Sequence, residues 1–186
     1  MADAVKKTKQ EPKWTDDQKT LVECSYLLSY PTANWRRALA DGESSVQDIE
    51  NPHTRAVLTD FYSYIHELTP EAYEDQYVRS FDFSPNTTLY LTAHDCTDFG
   101  KQSKELLAYR QFYLENGYDS PQDLPDYLPA LLELIAALPE ERAAEVCRFA
   151  QPKLSRLRER LIEANLSYAF LLDLVLATAE RLEASA

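Results

Sequence analysis

Three histidines, three cysteines and a surplus of carboxylates are the residues here with the most obvious chemical capacity. His94-Asp95-Cys96, with Asp98 close behind, is the one cluster that looks like a metal site. Its spacing matches no zinc motif, and adjacent residues on a helix point apart. More simply, His94 is a hydrogen-bonded helix-end residue, Asp95 or Asp98 a helix cap, and Cys96 a small apolar filler. His53, His66 and His94 sit on separate segments, so nothing local supports a Cys–His nucleophile. The carboxylate pairs Asp16-Asp17 and Glu140-Glu141 fall in the first turns of expected helices, where negative charge suits the helix dipole. Only Gly42, Gly100 and Gly117 are glycine, and no phosphate-cradling loop occurs. No catalytic set, metal or cofactor is expected, so binding is a better class of function than catalysis. A small helical enzyme or nucleotide-dependent switch is the alternative, weakened by the missing phosphate loop.

Binding chemistry concentrates in residues 77–94, a glycine-free run dense in aromatics and hydroxyls. Tyr73, Tyr77 and Phe81 recur at i, i+4 and i+8 and share one helical face. Pro85 breaks the pattern, and Leu89, Tyr90 and Ala93 restart it. Such a run is either a helical corner buried in a core or a binding wall, apolar in body and wet at its edge.

The 186 residues suit one domain, and a chain of that length buries roughly 70% of its unfolded surface without a metal or disulfide staple. The net charge of −12 repels nucleic acid and anionic lipid and favours basic partners, though solubility alone also explains it. An odd number of cysteines with no CxxC fits a reducing cytoplasm. The start lacks a signal peptide, and the apolar run over residues 168–178 is too short and too broken by Asp173 to span a bilayer.

The elements that position these residues read as helices. Thr15 with Gln18 predicts a capping box and a first helix that turns Leu21, Ser25 and Leu28 inward. A short helix follows over residues 32–39, closed by Asp41-Gly42-Glu43, with a polar loop to Glu50. Asn51-Pro52 and Thr69-Pro70 each pair a cap with a proline at the first helical position, launching helices to about Leu68 and Phe81. A short helix is expected near residues 88–93, then one carrying Leu106, Leu107, Tyr113 and Leu114 that Gly117 stops. Asp126 is expected to cap a central helix over residues 127–138. Pro139 opens a helix to about Ala150, Pro152 opens another, and the last runs over residues 166–183. No segment sustains period-two alternation. The expected fold is all-α, a single helical domain over residues 14–186 of roughly eight to ten helices. Residues 1–13, polar and lysine-bearing, read as a disordered lead-in.

YVRSFDFSPNTTLYLTAHD, from Tyr77, resembles the signature of NarJ-type assembly chaperones of respiratory nitrate reductase, within the wider TorD/DmsD-like family of redox-enzyme maturation proteins. A second block, LPDYLPALLEL from Leu124, resembles that family's LPDYLPxLLEF. The resemblance implies an all-helical, cytoplasmic chaperone, monomeric or weakly dimeric, with no membrane insertion of its own. Its partner would be the N-terminal, leader-like segment of the nitrate reductase catalytic subunit. The chaperone would hold that subunit while the molybdenum cofactor is inserted and delay membrane docking. Carried over by position, the peptide-binding candidates are Tyr77, Phe81, Pro85, Leu89 and Tyr90 in the first block. In the second they are Asp126, Tyr127, Leu128, Leu132 and Glu133. Phe81, Leu128 and Leu132 equally suit a core. Asp126 would be a helix cap or pair with a basic side chain, and Tyr77, Tyr90 and Glu133 stay open between core and contact. Such chaperones often carry a longer polar tail than the residues after Glu183 here.

Overall fold

The computed structural model describes residues 14–94, 98–121 and 124–186; the expected lead-in and the pair Asp95 and Cys96 lie outside them. Helix α1, Asp16–Leu28, begins on the expected capping box. Thr15 Oγ1 accepts from Gln18 N at 3.2 Å, and Gln18 Oε1 accepts from Thr15 N at 2.9 Å. Helices α3, Pro52–His66, and α4, Pro70–Phe81, start on their cap–proline pairs. Asn51 Oδ1 accepts from His53 N and Thr54 N, and Thr69 Oγ1 from Ala72 N. Helix α5, Phe99–Glu115, is capped by Asp98, which accepts from Gly100 N at 2.8 Å. Gly117, at φ 78°, ends it.

Four expectations give way to tertiary packing. Helix α2, Ala33–Val46, runs through Gly42 instead of stopping there, because that turn presses on α1 and α3. The missing side chain leaves room for the Tyr62 hydroxyl and Glu23, which a Cβ would strike. Residues 88–93 form no α-helix; a 3₁₀ turn, Leu91–His94, follows a bend at Leu89 and an isolated bridge at Tyr90. Helix α6, Leu128–Ala137, has no side-chain cap, so Asp126 does not cap it. Helix α7, Glu140–Glu163, is continuous across Pro152, where a break was expected. An interior proline costs about 3 kcal/mol. Burial of Ala150, Leu154, Leu157 and Leu161 on the same helix, each at most 1% exposed, holds α7 together on both sides of it.

Helix α8, Ala169–Ser185, folds back along α7 through Asn165, which takes a left-handed φ of 55° that asparagine tolerates. α1 packs between α6 and α8, with α2 and α3 alongside. The fold is all-α: eight α-helices and no strand among the described residues, with one isolated antiparallel bridge between Tyr90 and Tyr127. None of these helices is long and apolar enough to cross a membrane.

Gly42→Ala is therefore expected to destabilise the fold. In an open helix the change would stabilise by up to about 1 kcal/mol. Overpacking against Tyr62 and Glu23 reverses the sign, to a loss of about 1–3 kcal/mol in urea unfolding. A more stable variant would show that α2 does not press on α3.

The same junction carries a pH signature. Glu23 is buried and accepts from the Tyr62 and Ser45 hydroxyls. Burial pushes its carboxyl above the ordinary value of 4.5, against the pull of those two bonds. The folded protein then holds this proton more tightly than the unfolded chain. The stability it contributes is complete below the unfolded value and is lost as pH rises through the raised one. Relative to the parent, Glu23→Gln is expected to gain stability as pH rises above 4.5. A difference that stays constant with pH would refute this. The comparison with the variant cancels Asp16, Glu74 and Glu115, whose lowered values act in the opposite direction.

Candidate functional site

The two sequence blocks, with residues 96–123 between them, form one corner. Leu128 N donates to Leu89 O at 2.9 Å, and Leu91 N donates to Asp126 O at 3.2 Å. This short pairing draws the Tyr90 and Tyr127 rings to 5.2 Å between centroids. Asp126 completes the junction. Its Oδ2 accepts from Thr92 N at 2.8 Å and from Thr92 Oγ1 at 2.7 Å. The carboxylate thus caps the 3₁₀ turn of the first block and not its own helix. At 0% exposed, it is out of reach of a basic side chain at the surface.

Beneath the corner lies the aromatic stripe expected for α4. Phe81 meets Tyr77 at 4.9 Å and Tyr168 at 4.6 Å. Tyr77 donates to Leu28 O at 2.8 Å, which ties α4 to the end of α1. Its hydroxyl also meets that of Tyr127, so the blocks join through side chains as well. Burial, then the neighbouring Tyr127, raises the Tyr77 phenol well above its usual range.

Of the ten candidates, Tyr77, Phe81, Leu89, Asp126, Leu128 and Leu132 are buried, each at most 4% exposed. They shape the corner from within. Tyr90 and Tyr127 are half-buried, while Pro85 and Glu133 are exposed. Glu133 lies on the outer side of α6, 3.4 Å from the Ser25 hydroxyl, whose hydrogen goes to Pro129 O at 2.8 Å.

Several residues at this surface were not singled out in the sequence. Tyr30, 39% exposed, stands edge-on to Tyr77 at 5.5 Å. Its hydroxyl donates to Glu74 Oε1 at 2.6 Å, and Glu74 also pairs with Arg36. The Tyr30 bond, then Arg36, holds the Glu74 carboxyl below its usual range. The charge of Asp82 reaches both Tyr30 and Tyr77. Tyr30 precedes Pro31 just past the end of α1, and no local pattern in the sequence marks it as facing outward. Beside Glu133, a cleft of about 370 Å³ opens between the end of α5 and α6. Tyr113 and Tyr118 stand on its α5 side.

His94 serves as a tie. Its Nε2 donates to Thr88 O at 2.8 Å, while Arg160 contacts Nδ1 and bonds the backbone oxygen at 3.1 Å. A guanidinium at Nδ1 leaves no lone pair there for a metal. Among the described residues, no group of three potential metal ligands assembles. Cys24 and Cys147 are buried, and burial raises both thiols, Cys147 to about 12, which suits inert packing.

The family described as nitrate reductase delta subunit matches residues 48–172, a span that contains both blocks. The chain belongs to that family. The probable nitrate reductase molybdenum cofactor assembly chaperone NarJ of Bacillus subtilis is 35% identical over 169 residues, covering 90% of this chain and 92% of that protein. The chaperone of the same name from Escherichia coli K12 is 33% identical over 165 residues, 86% of this chain and 69% of its own. The nitrate reductase-like protein NarX of Mycobacterium tuberculosis is 29% identical over 157 residues, 84% of this chain but 24% of that longer protein. As a delta-subunit family member of NarJ type, the chain is a cofactor assembly chaperone and not a catalytic enzyme.

Proposed function

We propose that the chain acts in the cytoplasm on the catalytic subunit of a nitrate reductase. It binds that subunit's N-terminal, leader-like segment and holds it for molybdenum cofactor insertion before membrane docking. The observation that carries this reading is the corner itself. Two distant blocks converge to present Tyr90 and Tyr127 as a half-buried pair, with exposed Glu133 on the adjacent helix. Amphipathic rings beside a carboxylate suit a helical peptide that carries apolar and basic side chains. The net charge of −12 favours the same occupant. Tyr77, Phe81, Leu89, Asp126, Leu128 and Leu132 shape this surface from beneath, and Pro85 lies at its exposed edge.

Calorimetric titration with a synthetic N-terminal peptide of the nitrate reductase catalytic subunit from the same genome tests this. The parent should bind, and Tyr90→Ala should lose about 1–3 kcal/mol, as expected for a central aromatic anchor. A melting curve alongside separates lost contact from lost fold. Absence of binding by the well-folded parent would overturn the reading, and unchanged affinity in Tyr90→Ala would remove the corner from it.

A further inference from the structure

The cleft beside Glu133 is built by the way α5 ends. Gly117 N donates to Leu114 O at 3.1 Å, and Tyr118 N donates to Tyr113 O at 3.0 Å. This double closure needs a left-handed residue, and Gly117 supplies it at φ 78°. The chain folds back and sets Tyr118 and Asp119 opposite Glu133. Pro121, Leu134 and Ala137 add apolar wall. The cleft's charged residues are Asp119 and Glu133, and neither pairs with a lysine or arginine among the described residues.

Behind this cleft the polar groups are incomplete. Tyr113 forms part of the wall and is 5% exposed, yet its hydroxyl has no hydrogen-bond partner among the described residues. The second carboxylate oxygen of Asp126, at 0% exposed, also lacks one. Burial first, then the charges of Glu133 and Asp126, lifts the Tyr113 phenol above its usual range. The negative charges of Glu133 and Asp126 therefore both reach this wall. Asp126 is too deep to be met directly, but the unpaired Tyr113 hydroxyl lines the cleft, and a donor placed there would recover the cost of leaving it unbonded.

We infer that the cleft between the end of α5 and α6 is a subsite for one arginine side chain of the client segment, held by Glu133 and Asp119. The inference rests on the leader-binding reading above. Arginine fits better than lysine for three reasons. Its planar fork offers five donors to acceptors on two sides of a cleft. Its weakly hydrated guanidinium can stack on the Tyr118 ring. Its stem can lie along Leu134 and Ala137 with the head outward.

The test uses the full chain and the synthetic leader peptide, with each arginine in turn replaced by citrulline, which keeps the shape and removes the charge. One replacement should lower affinity about tenfold, as for loss of a charge-assisted pair. Glu133→Gln should weaken the parent peptide by a similar factor and leave that citrulline peptide unaffected. Lysine at the same position should not restore affinity. If the peptide binds but the losses add independently, or lysine substitutes fully, the arginine subsite is wrong while leader binding stands. If the leader does not bind, that reading fails, and acetyl-arginine amide at millimolar concentration decides the subsite by itself. Its titration should shift the ring resonances of Tyr118 and Tyr113. Acetyl-citrulline amide should not, and neither probe should shift them in Glu133→Gln. An equal response to both amides overturns the inference.

Discussion

Tyr168→Ala is expected to lower the stability of the fold by about 3–5 kcal/mol, the range for emptying a large aromatic site in a core. Tyr168 is 0% exposed at the entrance to α8. Its ring meets Phe81 at 4.6 Å, Phe61 at 5.5 Å and Tyr77 at 6.3 Å. One side chain thus joins α8 to α3 and to the aromatic stripe of α4. Those neighbours sit on two helices, so no single shift can fill the space it leaves. The hydroxyl matters less. It faces that of Tyr73 in a buried setting that raises both phenols, and neither has a well-formed hydrogen bond. Tyr168→Phe should therefore cost about 1 kcal/mol or less. Urea unfolding of both variants checks the contrast. An alanine variant within about 1 kcal/mol of the parent would mean the stripe is not packed as described.

Asp126→Ala is expected to cost about 2–4 kcal/mol, through a different cause. The ring stripe loses volume, whereas this site loses hydrogen-bond partners. Thr92 is 1% exposed, and without the carboxylate its N–H and its hydroxyl hydrogen are left buried and unanswered, the hydroxyl oxygen keeping only the bond from Gln102. A buried donor without a partner costs its full desolvation penalty. Adding Thr92→Val to Asp126→Ala should cost less than the two single changes summed, because valine removes the stranded hydroxyl. The change should also reach binding. Asp126 is too deep to touch a client, yet it holds the turn that sets Tyr90 against Tyr127. Leader affinity should fall at a temperature where the variant is still folded. Full additivity with Thr92→Val, together with undiminished affinity, would show that Asp126 does not position the corner.

Much of the helical frame was legible locally. The capping box at Thr15, the cap–proline starts at Asn51 and Thr69 and the stop at Gly117 act through backbone groups within a turn of themselves. The stripe of Tyr73, Tyr77 and Phe81 was legible because helical spacing puts such residues on one face wherever the helix packs. The two motif blocks were enough to indicate the family.

Tertiary contact decided the rest. Gly42 reads as a helix stop, and Pro152 as a helix start, until α3 packs against the first turn and the buried face of α7 runs on both sides of the second. Propensity is worth about 1 kcal/mol for glycine and about 3 for proline, and burial over several turns exceeds both. Residues 88–93 carry helical spacing, but their backbone groups pair with residues 126–128, a partner no local pattern announces. Asp126 has the composition and position of a cap, and only the fold shows that its turn lies in the other block. The same holds for the candidate site. Side-chain type could nominate Tyr90, Tyr127 and Glu133, but type does not say which tyrosines a neighbouring helix will cover. Burial is set by what packs on a residue from a distance in sequence, so Tyr77 goes inside, Tyr30 stays at the edge, and the α5–α6 cleft appears only after folding.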